Sequence, residues 1–308
     1  MANTRLTFTR NDSLFANIIS ENKLVESIAN NLGQFDYDSF ENPIFINNTD
    51  IEYRPAQLID DGSQIYEGQW SKAKDVKEGR GIQFWTNGSR YEGFFMNGKI
   101  NGKGRIIFED GDLYEGDWEN DMFQGVGVYI YEDGSHYHGE WRQNKKSGYG
   151  VEAFKDGSKY EGNYNLDKQN GEGIWTFADN SKYTGQFFNG FMHGKGIYDW
   201  ADGKSYDGEW RSNKMHGKGI FTWPDGRRYE GEYRNDTKHG HGIFTWADGK
   251  QYVGNFENGK QHGNGILKIN DDYEQGKFTL HFEIFFAIKT SNFSFKSYNR
   301  YLGSWKTD

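Results

Sequence analysis

From Tyr206 the chain alternates with period two. Tyr206, Gly208 and Trp210 stand on one side and Asp207 and Glu209 on the other, and the alternation returns at Gly217, Gly219, Phe221 and Trp223. Such short alternating runs predict β-strands with one ring-bearing face and one acidic face. Between the two runs, Arg211 to His216 reads as a polar loop. Asp225-Gly226 then signals a hairpin turn, because glycine tolerates the positive φ that a tight turn needs. The unit is a hairpin, and Asp-Gly joins it to the next.

The same unit recurs at Tyr66, Tyr91, Tyr114, Tyr137, Tyr160, Tyr183, Tyr206, Tyr229 and Tyr252. Tyr66 to Tyr91 is 25 residues, and every later step, such as Tyr91 to Tyr114, is 23. Each tyrosine is followed two residues on by a glycine: Gly68, Gly93, Gly116, Gly139, Gly162, Gly185, Gly208, Gly231 and Gly254. Gly-x-Gly pairs in the second strands run from Gly79/Gly81 to Gly263/Gly265. Glycine weakens a strand interior unless something must approach the backbone closely. Two readings account for it: rings of neighbouring strands lie across bare backbone, or the glycines bend the strands.

A fixed short period marks an array in which no unit folds alone. Nine repeats predict about eighteen antiparallel strands and, at ~4.8 Å per strand, a sheet on the order of 85 Å long. The expected fold is all-β: an elongated single-layer antiparallel sheet of tandem hairpins, with a short helix in the N-terminal extension. Residues 61–278 form the array, with nine full repeats from Tyr66 and a partial tenth near 274–278. Residues 1–60 are an extension with a helix near 21–32, where Leu24, Ile28 and Leu32 make one stripe and Gly33 stops it. Pro43 and Pro55 mark an irregular stretch there, and the extension is expected to cover the first sheet edge. A partner-docking role for the helix is the rival reading. Residues 279–308 form a non-repeat tail, rich in Phe and Ser, that caps the other edge, packs on a partner or stays poorly ordered.

Composition narrows the function. Only 34% of the 308 residues are apolar, while 18% are aromatic and 41 are glycine. Disordered chains are poor in aromatics, so this is a thin folded sheet. Cysteine is absent and no apolar run fits a signal peptide or a membrane span, which gives a cytoplasmic expectation. The formal charge of −9 disfavours nucleic acid and anionic membranes. Asn-x-Ser/Thr triplets at Asn87 and Asn235 read as turn chemistry.

Tyr206–Gly226 and Tyr229–Gly249 match the MORN repeat almost throughout, and the registered copies cover about two thirds of the chain, which thus resembles that family. Departures are modest: Asn180 and Asp272 replace the turn glycine, Ile269 replaces the late aromatic, and the histidine before Gly-x-Gly occurs only as His193, His216, His239 and His262. The resemblance implies a single-layered antiparallel β-array and scaffold roles in cytoskeletal assemblies, among them ciliary radial spoke heads and basal bodies. In that family such arrays also link membrane compartments or accompany lipid kinases and methyltransferases.

Catalytic and metal readings are weak. Equivalent histidines stand two strands apart, roughly 9.5 Å, too far for one zinc, whose ligand atoms lie within about 4 Å of each other. Gly203-Lys204-Ser205 lacks the glycine of a phosphate loop, since Tyr198 holds that place. No kinase signature occurs. Glu67, Glu92, Glu115, Glu161, Asp207 and Glu230 line a face expected to be solvated. The candidate partner site is the ring face, with Trp118, Trp141, Trp200, Trp210, Trp223 and Trp246 in rows, either as core or as a groove gripping another chain. The expected function is a non-enzymatic scaffold without cofactor or metal, in the cytoskeleton, as a radial-spoke-like part of the ciliary axoneme. Its partners are other proteins of that complex, and sheet ends and ring face also permit a homodimer. The alternative is a peripheral membrane or phosphoinositide-binding adaptor using loop cations Lys99, Lys145, Lys168, Lys214 and Lys260.

Overall fold

The computed structural model describes residues 23–40, 49–269 and, for the backbone, 272–278. The tail 279–308 lies outside the described residues. The chain divides into two compact units, residues 1–168 and 169–308. In the first, each strand from Ile51–Ile59 to Lys159–Asn165 pairs antiparallel with its sequence neighbour. The second repeats this meander from Lys168–Thr176 to Asp272–Phe278. The fold is all-β, built of antiparallel hairpins, with one short α-helix, Lys23–Leu32, among the described residues.

The hairpins are tighter than the alternation predicts. Strands Ser205–Arg211 and Lys214–Thr222 leave only Ser212-Asn213 as loop, so Lys214, Met215 and His216 belong to a strand and not to a polar loop. Ser212 and Asn213 have φ of 50° and 64°, the two positive values of a type I′ turn. Such turns match the twist of the flanking strands, which is why two residues suffice. The other connection, Pro224-Asp225-Gly226, is closed by Trp223 N donating to Arg227 O at 2.9 Å and Gly226 N donating to Trp223 O at 3.0 Å. Asn87 belongs to the same kind of turn, its Oδ1 accepting from Ser89 N at 3.0 Å.

The two glycines of Gly-x-Gly do different jobs. Gly208 faces Gly219, but Glu209 faces His216, so Gly217 and Lys218 are extra residues in a bulge. Gly217 takes φ +59°, and the bulged Lys218 N donates to the Glu209 carboxylate at 3.1 Å. Gly219 instead lies under the Tyr206 ring, where a Cβ would stand 2.5 Å from Cζ. The ring's hydroxyl donates to Glu209 O at 3.0 Å, where the register shifts. All nine tyrosines donate in this i→i+3 manner. All nine are fully buried, so each buried phenol keeps a partner.

The N-terminal extension lines the first repeat strand with one segment and a sheet face with another. Ile51–Ile59 is a regular edge strand rather than an irregular stretch. Pro55 is accommodated because the register shifts between Arg54 and Gln57, and proline is tolerated at edges and bulges. Residues 23–40 lie on the face opposite the tyrosines, not on the edge. Val25 and Ala29 of the helix pack on Ile107 and Leu113. Tyr37 packs edge-on to Phe94 with centroids 5.6 Å apart and donates to Gly81 O at 3.0 Å. Arg105 donates to Gly33 O at 2.7 Å and to Glu92 at 2.6 Å, and Arg80 pairs with Asp38 at 2.9 Å.

The solvated reading of the acidic face is corrected in its first repeats. Glu67 and Glu92 are buried, at 3% and 4% exposure. Glu92 is neutralised by Arg90 and Arg105, and Glu67 accepts from the Tyr53 hydroxyl. A buried carboxylate needs such partners. Farther along, where nothing described covers this face, Asp207 and Glu230 are exposed as expected.

Candidate functional site: the tyrosine face

The face that carries the nine tyrosines has a core row and an outer surface. In the core row, Trp118, Trp141 and Trp210 are only 5–6% exposed. Their indole N–H groups donate to Gly104 O, Gly127 O and Gly196 O at 3.0–3.2 Å. Each packs edge-on between two tyrosines; Trp210 lies 5.2 Å from Tyr206 and 5.4 Å from Tyr183. Edge-to-face pairs of this kind add ~0.5–1.5 kcal/mol beyond area burial. Burial pushes the phenols up, Tyr252 to about 12, so they remain protonated donors at neutral pH. Those three tryptophans are core.

Trp200, Trp223 and Trp246 are placed differently. They stand at the Asp-Gly connections, half-buried, and alternate with Tyr198, Phe221 and Phe244. In the second unit, Trp175, Phe177, Tyr198, Trp200, Phe221, Trp223, Phe244 and Trp246 follow one another with centroids 4.4–5.9 Å apart. The result is a continuous ladder of half-exposed rings across four second strands. Tyr198, Phe221 and Phe244 had no special signal in the sequence beyond strand alternation. Their role comes from antiparallel register, which puts them between the tryptophans of successive repeats.

The first unit carries a groove on the same face. Where later repeats have Tyr129, Tyr198, Phe221 and Phe244, the first two repeats have Gln83 and Ile106. The smaller side chains leave a groove of about 590 Å3, walled by Trp85, Ile100, Phe108 and Phe123 with Asp60 and Asp121 at its polar rim. Lys77 lies at its base, donating to Gln83 at 2.6 Å, and Gln83 donates to Gln64 at 2.6 Å. Burial lowers the Lys77 pKa, and its ammonium stands 5.1 Å from the Phe95 centroid. None of these residues stood out in the sequence; the available signal was the break in the aromatic repeat at Gln83.

A second lysine is enclosed in the ladder. Lys238 Nζ lies 4.4 Å from the Phe244 centroid and 5.2 Å from those of Trp223 and Tyr229. Burial, and then the Arg227 charge, bring its pKa down to about 8. Its acylation by an amine-selective reagent, followed by peptide mass spectrometry, is expected to reach half-maximal rate near pH 8, where exposed lysines are still mostly protonated. The unfolded chain holds more protons on this group between pH 8 and the ordinary lysine value of 10.5. Its contribution to stability is therefore complete above that range and is lost as pH falls through about 8.

The other candidates stay dispersed. His216 faces Glu209 and His239 faces Glu232 beside successive bulges. Among the described residues, no three His, Asp or Glu side chains converge as a metal site needs. Lys99, Lys145, Lys168, Lys214 and Lys260 open second strands and do not lie in loops, and Lys145 pairs with Asp167 at 2.7 Å.

Similar solved structures include the TCP domain of SAS-4 (dCPAP) of Drosophila melanogaster in complex with a proline-rich motif of Ana2. It is 17% identical, with 51% of this chain and 85% of that one covered, at a TM-score of 0.32. A mutant TCP10 domain of Danio rerio CPAP is 15% identical over 55% and 90% of the two chains, with a TM-score of 0.21. A streptogramin B lyase is 12% identical over 77% and 86%, with a TM-score of 0.15. At these scores none bears on what this chain does. No curated protein matches it. The MORN repeat family model matches nine times in succession, at residues 66–90, 91–113, 114–136, 137–159, 160–182, 183–205, 206–227, 229–251 and 252–271. Eight of these copies fall on hairpins described above, each with one tyrosine and its glycine seat, and the chain belongs to the MORN repeat family.

Proposed function

We propose that this protein is a non-enzymatic scaffold that holds other proteins together in a cytoskeletal assembly, a radial-spoke-like part of the ciliary axoneme. The observation that carries the scaffold reading is the half-exposed ring ladder of the second unit. Tyrosine and tryptophan are the residues that interfaces favour, because a ring is buried while its polar edge finds a partner. Membership of a repeat family supports it, since stacked repeats present extended binding surfaces. The axonemal assignment rests on family resemblance.

Proximity labelling with the tagged full-length protein in its own cell, combined with imaging, tests both parts. A stable set of axonemal neighbours is the expected result. A diffuse signal without stable neighbours overturns the scaffold, and a stable set elsewhere overturns only the axonemal placement. Flotation with anionic liposomes addresses the membrane adaptor: no binding is expected, and binding that high salt abolishes would replace the scaffold reading.

A further inference from the structure

We propose that the ring ladder of the second unit docks a proline-rich segment of another protein, held in the polyproline II conformation and laid across the strands. This rests on the scaffold reading and names the conformation of what the scaffold grips.

Spacing is the first support. Trp200, Trp223 and Trp246 occupy the same place in successive repeats, two strands or about 9.5 Å apart. A polyproline II helix has three residues per turn and rises ~3.1 Å per residue, about 9.3 Å per turn. Every third residue of such a segment therefore meets the next tryptophan in step. An extended strand brings a side chain to the same side every ~6.7 Å. An α-helix does so at ~5.4 Å per turn, or ~10.5 Å per seven residues. Neither keeps register over several repeats.

Hydrogen bonding is the second. The indole N–H groups of Trp118, Trp141 and Trp210 donate to backbone carbonyls. Those of Trp200, Trp223 and Trp246 meet no protein acceptor among the described residues. Polyproline II has no internal hydrogen bonds, so its carbonyls are free to accept, and proline brings no donor of its own. Aromatic strips recognise proline-rich segments on these terms.

Charge is the third. Each connection beside the ladder neutralises itself: Lys204 with Asp202 at 2.6 Å, Arg227 with Asp225 at 2.8 Å and Lys250 with Asp248 at 2.9 Å. Lys238 is turned against the rings of Trp223 and Phe244. An uncharged occupant complements such a rim.

The test uses the full chain and two synthetic ten-residue peptides of proline and leucine with identical composition. One carries leucine at every third position and the other has irregular spacing. Isothermal titration and tryptophan fluorescence are expected to show the periodic peptide binding about tenfold tighter. Trp223→Ala and Trp223→Phe should each weaken it about tenfold, the second by removing only the indole N–H and its extra ring. Phe188→Ala, at an exposed hairpin turn, should leave it unchanged. Equal affinity for the two peptides, no binding of either, or indifference to both Trp223 variants would overturn the proposal. A helical or strand-forming peptide that binds in a Trp223-dependent way would overturn it as well, while leaving the scaffold standing. The scaffold itself is decided by the proximity and flotation experiments.

Discussion

Gly231→Ala is expected to cost about 3 kcal/mol or more of unfolding free energy, at the upper end for an overpacked core. The reason is steric. A Cβ at Gly231 would stand 2.6 Å from the Cα of Gly242 on the paired strand and 2.5 Å from the Tyr229 hydroxyl. One of those obstacles is backbone, which gives way only by breaking the ladder. The three atoms nearest a Cβ at Gly242 all belong to the Tyr229 side chain, at 2.6–2.8 Å. The two substitutions therefore separate in a double-mutant cycle. With Tyr229→Leu, Gly242→Ala should be largely relieved, whereas Gly231→Ala should keep much of its cost. Gly157→Ala is the control, with φ +86° and nothing within 4 Å of its Cβ. It should cost only about 1–2 kcal/mol, from the left-handed backbone alone. Urea denaturation measures all of these. Equal costs at Gly231 and Gly157 would mean that the rings do not need bare backbone.

Arg105→Ala should have the next largest effect, about 3 kcal/mol. The side chains of Arg105 and Glu92 are 5% and 6% exposed and pair at 2.6 Å. Removing the arginine leaves a buried carboxylate, and that uncompensated charge is what makes breaking such a pair expensive. Arg90, 2.5 Å from Glu92, limits the loss and keeps the figure near the low end. The variant should also loosen residues 23–40, because Arg105 holds Gly33 O and its guanidinium lies 5.9 Å from the Phe35 centroid. Hydrogen exchange in the helix Lys23–Leu32 is expected to accelerate more than in the strands of the second unit. Unchanged exchange there would show that the helix is held by Val25 and Ala29 alone.

The candidate site was legible in part. Six tryptophans stood out in the sequence, and all six stand on the tyrosine face. Trp118, Trp141 and Trp210 lie two residues beyond their glycine, on the first strand. There they fall between two buried tyrosines and reach a glycine carbonyl of the preceding repeat. Trp200, Trp223 and Trp246 lie at the connections, where packing comes from one side only. Strand alternation treats both sets alike, because period two records a face and not a depth. The groove was illegible for a related reason. Gln83 and Ile106 look like ordinary strand residues until their neighbours show how much ring volume they fail to supply.

By itself the sequence determined the array and its hairpins. Those features rest on local chemistry repeated nine times, and one copy checks another. Tertiary structure alone decided which glycine was bulge and which was seat, since both read as Gly-x-Gly and only pairing distinguishes them. It also decided that Glu92 is interior. The covering residues 23–40 belong to no repeat, and the contact runs between segments far apart in the chain. No short-range pattern encodes a contact of that kind; it exists once two separately specified surfaces meet.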